Sequence, residues 1–145
     1  MPGDAATPRF ISDRWFQPRD GEWRLMGNRC QACRKTFFPA KMVCPLCFDG
    51  RLEAVPLSGT GTLHTFAKSY MGPLDIQKPY LMGFIDLPEG LKLYALIEAA
   101  EPWEETLRIG LLMEMFIGVF KTDSSGREIM TYKFRPAAGE GVDHA

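Results

Sequence analysis

Beyond Gly59 the chain alternates between short apolar runs and turn residues. Thr60–Met71 ("TGTLHTFAKSYM") is rich in threonine and aromatics, with Gly59 and Gly61 at its entrance. Tyr80–Leu87 ("YLMGFIDL") is a compact apolar run interrupted at Gly83, which predicts a bend or bulge there. Leu91–Glu98 ("LKLYALIE") alternates in part, and the Pro88–Gly90 turn makes the two runs a hairpin. Leu107–Gly110 reads as a further turn, Leu112–Lys121 as a fourth strand, residues 122–127 ("TDSSGR") as a hairpin loop and Glu128–Phe134 as a fifth strand. Five strands with turn signals and little helix predict a small closed barrel, and their number and length suit an OB-fold. An SH3-like barrel or a small sandwich fits the pattern almost as well.

The N-terminal part is patterned differently. Met1–Pro8 is small and polar and is expected to be mobile. In Phe10–Gln17 ("FISDRWFQ"), Ile11 and Trp15 stand at i and i+4 with Phe16 beside them, and Pro18 follows; this predicts a short helix. Asp20-Gly21 reads as a turn and Trp23–Arg29 as a short strand. At the other end Ala137–Ala145 is a small, polar tail expected to fray.

All four cysteines fall between these parts, in "CQACRKTFFPAKMVCPLC" (Cys30–Cys47). Their spacing is C-x2-C-x10-C-x2-C. Each C-x-x-C turn presents two thiolates to one ion, so Cys30, Cys33, Cys44 and Cys47 complete a tetrahedral shell of four sulfurs. Soft thiolates without a neighbouring histidine or carboxylate favour zinc, with iron as a substitute. A shell closed by four protein ligands has no position for water, so the metal is expected to be structural. A thioredoxin-type redox centre needs one C-x-x-C at a helix start after a strand, and neither pair has that setting. Lys35–Phe38 suits a β-turn and strand between the two knuckles of a ribbon. The expected organisation is a docking helix and lead-in strand over 1–29, a rubredoxin-like zinc ribbon over 30–55, an OB-fold over 56–136 and a flexible tail over 137–145: a mainly β chain.

Charge and motifs narrow the function. A net charge of −1 and a pI near 6.1 give no bulk footprint for nucleic acid. No apolar run is long enough to span a bilayer, and the N-terminus lacks the pattern of a signal peptide, so a cytoplasmic protein is expected. No nucleophile elbow, phosphate-binding loop or dinucleotide fingerprint is present. His144 is in the tail and His64 is in a strand, where a barrel-wall histidine is the plain reading and a general base would need a pocket and a partner. Phe66, Tyr70, Tyr80, Phe84 and Tyr94 are either barrel core and wall or a stacking platform for a single strand. Lys41, Lys68, Lys78 and Lys92 are either solvated or a cationic margin to that surface. Trp15, Phe16 and Trp23 exceed what a short N-terminal segment buries alone; they pack on the ribbon or dock on another protein.

The order of motifs resembles a family of acyl-CoA-associated proteins in which a rubredoxin-like zinc ribbon precedes an OB-fold. The resemblance runs from Trp15 to Pro136. It is carried by Cys30-Gln-Ala-Cys33, Pro39, Cys44-Pro-Leu-Cys47, "LSGTGTLHTF" (Leu57–Phe66), "KPYLMGFIDLPEGLKL" (Lys78–Leu93), "LRIGLLMEMFI" (Leu107–Ile117) and "YKFRP" (Tyr132–Pro136). The resemblance implies a non-catalytic subunit in a hetero-oligomer, docked on a thiolase-like catalytic subunit and helping to form its CoA or acyl-CoA pocket. The nucleophilic cysteine and the bases for thiolysis or retro-Claisen cleavage would then belong to the partner. Aromatic and cationic placement nominates Phe38, Lys41, Phe66, Lys68, Lys78 and Tyr80 for the CoA pocket, and Ile11, Trp15, Phe16 and Trp23 for partner docking. Two alternatives make opposite demands: a single-strand-binding ribbon/OB module, and a stand-alone acyl-CoA enzyme using His64.

Overall fold

In a computed structural model of the chain, residues 9–72 and 78–137 are described. The expectations for Met1–Pro8 and for residues 138–145 lie outside them. The structure is a small N-terminal sheet followed by a closed five-stranded barrel.

The N-terminal sheet is built on β2 (Glu22–Cys30), which pairs antiparallel with β1 (Phe16–Arg19), β3 (Thr36–Phe37) and β4 (Leu52–Pro56). The β1–β2 turn is Asp20-Gly21, both at positive φ (53° and 80°), the conformation a tight two-residue hairpin requires. The helix expected over Phe10–Gln17 does not form. Asp13–Trp15 makes one 3-10 turn and Phe16 already belongs to β1. The reason is aromatic packing. Phe10 and Phe16 stack at 4.3 Å, and Trp23 meets Phe10 edge-on at 4.9 Å. Six residues apart on an α-helix, Phe10 and Phe16 would point to different sides; a tight turn brings them together. Ahead of the turn, residues 9–11 lie along the barrel, with Ile11 N–H donating to Met130 O (2.9 Å) and Met130 N–H to Arg9 O (2.7 Å).

The barrel runs β5 (Thr60–Ser69), β6 (Tyr80–Asp86), β7 (Lys92–Ile97), β8 (Leu112–Thr122) and β9 (Glu128–Pro136), in the closed order β5-β6-β7-β9-β8. All neighbours are antiparallel except β7 and β9, which pair in parallel over a short stretch, Leu96 with Lys133 and Ile97 with Phe134. This is the OB arrangement the strand count pointed to. A one-turn helix, Trp103–Thr106, joins β7 to β8 and had no sequence signal. The bulge expected at Gly83 lies across the ladder instead, in β5 at His64 between Leu63 and Thr65. Gly83 stays in register and lets β5 approach: a Cβ there would collide with the carbonyl oxygen of Thr65. Ala137, placed at the start of the tail by sequence, is buried and donates to Leu112 O (3.0 Å).

One hydrophobic core spans both parts. Phe10, Phe16, Leu25 and Leu57 join Leu63, Ile85, Met113 and Phe134 in a single cluster. Leu57 is the joint: fully buried, it donates its N–H to Leu25 O (2.8 Å) and accepts from Arg24 Nη2 (2.8 Å). Burial on this scale is worth about 1.5–3 kcal/mol for each leucine, so the ribbon is fixed to the barrel rather than tethered to it.

Candidate metal centre and ligand cleft

The two C-x-x-C segments fold into the same knuckle. In the first, Cys30 N–H donates to Lys35 O (2.9 Å), Arg34 N–H donates back to Cys30 O (2.8 Å), and Arg34 takes φ 70°. In the second, Cys44 N–H donates to Asp49 O (3.0 Å), Phe48 N–H to Cys44 O (2.8 Å), and Phe48 takes φ 63°. The Sγ atoms of Cys30 and Cys47 are 3.5 Å apart, those of Cys33 and Cys44 3.6 Å, and all four lie within 4.8 Å of one another. Metal–sulfur bonds of about 2.3 Å in a tetrahedron place sulfurs about 3.8 Å apart, so these four residues fit one ion.

The donor chemistry also asks for a cation. Burial raises the Cys44 thiol, but the backbone N–H groups of Cys47 and Leu46, each 3.4 Å from its sulfur, outweigh that and bring it down to about 6. Cys47 goes the other way: the backbone at Asp49 lowers it, yet the neighbouring thiol of Cys30, burial, and Cys44 and Cys33 push it up to about 12. Four thiols at this separation do not all ionise unless a metal offsets their charge. Four sulfur ligands would close the shell, an arrangement that suits a structural metal and not a catalytic one.

Two clamps without a signature in the sequence fix the ribbon. Asn28, buried on β2, donates from Nδ2 to Lys41 O (2.7 Å) and accepts from Lys41 N–H at Oδ1 (3.2 Å), tying the loop between the knuckles to the sheet. Asp49 accepts from the Arg51 backbone N–H (2.7 Å), Nε (3.0 Å) and Nη2 (2.8 Å), and Arg51 holds its carboxyl down to about 2.

The second candidate site is on the barrel. Residues of the N-terminal turn and the outer barrel wall enclose an apolar cleft of about 300 Å³, lined by Ile11, Trp15, Tyr80, Tyr94, Phe120 and Tyr132. It adjoins a more open groove of about 650 Å³ that shares Tyr80, Leu96 and Phe120 with it and is lined as well by Glu98, Trp103, Lys121 and Lys133. The cleft is apolar, and the groove beside it carries the charged side chains. Lys133 Nζ is 2.8 Å from Glu98 Oε2.

The residues nominated from sequence are distributed as follows. Tyr80 lines both the cleft and the groove. Lys68 lies over the ring of Trp103 (4.9 Å) and that of Tyr70 (5.5 Å), on the flank of the groove. Lys78 precedes Pro79 and Tyr80 at its edge. Phe66 is half-buried against the core. Phe38 lines neither: it packs edge-on to Trp15 (5.1 Å) and Tyr132 (5.8 Å), where the ribbon meets the barrel. Lys41 is on the exposed surface of the ribbon. Of the docking residues, Ile11 and Trp15 line the cleft, Trp23 is half-buried, and Phe16 is buried under Phe10, so its ring serves the core and not a docking face. Trp103, Phe120, Lys121 and Lys133 escaped sequence reasoning, because only barrel closure brings these strand ends and the one-turn helix together.

His64 has a partner and lies outside the cleft and the groove. Its Nδ1 is 2.9 Å from Asp86 Oδ2, and Lys92 Nζ is 2.9 Å from Asp86 Oδ1. The hydrogen bond from Lys92, and with it His64, holds the Asp86 carboxyl below its usual range against the effect of burial. The His64 and Asp86 side chains are more than two-fifths exposed. The imidazole is open to water at the bulge and lines neither of the two cavities.

A four-cysteine ribbon fused through a shared core to an OB barrel defines a class of two-part ribbon–barrel proteins. Comparison with known families makes this specific. The family model described as "ChsH2, rubredoxin-like zinc ribbon domain" matches residues 22–53, and that described as "ChsH2, C-terminal OB-fold domain" matches residues 54–117. The chain belongs to this ChsH2-type zinc-ribbon/OB-fold family. It is 35% identical over 127 residues to the benzoylsuccinyl-CoA thiolase subunit BbsA of Thauera aromatica, covering 87% of this chain and 86% of that protein. It is 33% identical over 116 residues to a DUF35 domain-containing scaffold protein of Methanocaldococcus jannaschii, covering 77% and 81%. Among solved structures, the Ltp2-ChsH2(DUF35) aldolase superposes with a TM-score of 0.64 at 25% identity, over 79% of this chain and 86% of that one.

Proposed function

We propose that this chain is the non-catalytic accessory subunit of a thiolase-like acyl-CoA enzyme, and that its cleft and groove form part of the acyl-CoA site completed by the catalytic subunit. The observation that carries the reading is a pairing: near full-length similarity to a subunit of a CoA thiolase, in a chain whose every cysteine is committed to one closed thiol cluster. Thiolytic cleavage needs a nucleophilic thiol and bases in an enclosed site. This chain has no thiol to spare, and its one barrel histidine faces water. The nucleophile and bases therefore belong to the partner.

The metal is zinc, the ion that closed tetrahedral four-thiolate structural sites ordinarily hold; bound, it would cross-link the two knuckles. On the barrel, the apolar cleft around Tyr80, Tyr94 and Phe120 suits an acyl or pantetheine chain. The cations that line the groove, Lys121 and Lys133, with Lys68 and Lys78 on its margin, suit the phosphates of CoA. The likeness to BbsA favours an aromatic acyl group such as benzoylsuccinyl.

Isothermal titration of the purified complex with the acyl-CoA product tests the assignment of the groove. Lys133→Glu together with Lys121→Glu is expected to weaken CoA binding at least 10-fold while leaving the complex assembled. Unchanged affinity would remove the groove from the acyl-CoA site.

A further inference from the structure

The second knuckle turns its apolar side chains outward. Met42, Val43, Leu46 and Phe48 are 92%, 49%, 60% and 79% exposed, whereas Cys44 between them is fully buried in the thiol cluster. Phe48 does so at φ 63°, in the left-handed region that favours glycine. A phenylalanine there costs conformational energy and gains no packing within the chain. The tip is also held rigid: Phe48 N–H is bonded to Cys44 O, Cys44 N–H to Asp49 O, and Asp49 to Arg51. A rigid apolar projection loses little freedom on binding.

Charge selects the partner. The ribbon's Asp49 is neutralised by Arg51, which leaves Glu53 against the three cations Arg34, Lys35 and Lys41 in a chain whose net charge is −1. None of the three is paired with a carboxylate among the described residues. The ribbon is thus apolar at its second knuckle and cationic elsewhere, and two copies set ribbon to ribbon would oppose like charges. We propose that the second knuckle is the anchor by which this chain docks on its catalytic subunit. Phe48 and Leu46 enter an apolar pocket of that subunit bordered by carboxylates. The inference rests on the accessory-subunit reading and deepens it: the knuckle grips the partner while the barrel groove stays open to the ligand.

The test uses the full chain and the thiolase-like polypeptide of the same organism, with affinity measured by biolayer interferometry. Phe48→Asp and Leu46→Asp are each expected to weaken binding about 30-fold or more, as a buried interface anchor does, with bound zinc unchanged. Phe48→Gly gives a sharper signature. It relieves the left-handed backbone, so its melting temperature should equal or exceed wild type while binding falls to the same extent. Charge reversal at Lys41 and Lys35 should slow association and flatten its salt dependence. Variants at Phe48 and Leu46 that bind within 3-fold of wild type would overturn the anchor and leave the accessory-subunit reading standing. A wild-type chain that does not bind the polypeptide at all would overturn both. Binding of wild type to phosphatidylserine vesicles that is lost in Phe48→Asp, with complex formation intact, would overturn the anchor in favour of a membrane surface, and a concentration-dependent dimer lost in the same variant would overturn it in favour of a second copy.

Discussion

Replacing Tyr132 with phenylalanine removes one oxygen from the weakest seam of the barrel. β7 and β9 meet in parallel at only two register positions, Leu96 with Lys133 and Ile97 with Phe134. One step back along β9, the Tyr132 hydroxyl donates to Tyr94 O at 2.5 Å and extends that seam. The Tyr132 side chain is 8% exposed, so the Tyr94 carbonyl left behind does not simply recover a water partner. A hydrogen bond contributes a net 0.5–1.5 kcal/mol, and an orphaned buried acceptor costs about 1–3 kcal/mol. A loss of about 2 kcal/mol is expected, which lowers the melting temperature by roughly 4–8 °C for a chain of this size. The ring itself stays, so its contacts with Phe38 (5.8 Å) and Trp15 (6.2 Å) are kept and the joint between ribbon and barrel is not repacked. Differential scanning calorimetry, with urea unfolding to check that the m-value is unchanged, reads the effect. Burial, and to a lesser degree Tyr94, raise the Tyr132 phenol above its ordinary value of 10.0. Raised in the folded state, it contributes stability below pH 10 that is lost above it, so the gap between wild type and variant should be flat from pH 6 to 9 and close in stronger alkali. A Tyr132→Phe variant melting within 1 °C of wild type at pH 7 would refute the role given to this bond.

Three further outcomes follow from other parts of the molecule. Removal of metal by a strong chelator, or Cys44→Ser, should lower the melting temperature, expose Trp15 and Trp23 to quenchers and release one metal ion per chain by atomic absorption; full stability without metal would show that the thiol cluster is not a structural centre. Gly83→Ala should cost about 2 kcal/mol or more in urea unfolding, since its Cβ meets the Thr65 carbonyl and backbone cannot swing aside as a side chain does. Asp86→Asn should be less stable than wild type at neutral pH. Because the folded carboxyl lies below its ordinary 3.8, that difference should be complete above pH 3.8 and shrink as the pH falls through the folded value.

What the sequence disclosed depended on the range of the interaction. The thiol cluster was legible because each knuckle is local: four cysteines with fixed spacing determine the ligand set wherever the ribbon sits. The strands of the barrel were legible for the same reason, through alternation such as Leu93, Ala95 and Ile97 inward against Lys92, Tyr94 and Leu96 outward or partly so. The N-terminal helix failed because its i, i+4 signal, Ile11 with Trp15, was overridden by Phe10 stacking on Phe16 and by the pairing of β1 with β2. Gly83 announced a special position correctly and its kind wrongly, because a missing side chain in one strand serves the bulge in the next. The cleft was largely invisible. Trp103, Phe120, Lys121 and Lys133 come from segments that only barrel closure joins, while Phe38, attractive between the knuckles, is spent on the joint with Trp15 and Tyr132.

The most direct measurement is acyl-CoA thiolysis by the two purified polypeptides, separately and together, with the thiolase-like subunit held constant and this chain titrated in. No turnover is expected from this chain alone, with activity that rises and saturates at a fixed stoichiometry in the mixture and the same maximal rate for His64→Ala. Turnover by this chain alone, lost in His64→Ala, would contradict the accessory-subunit reading, as would a catalytic subunit indifferent to this chain at every ratio.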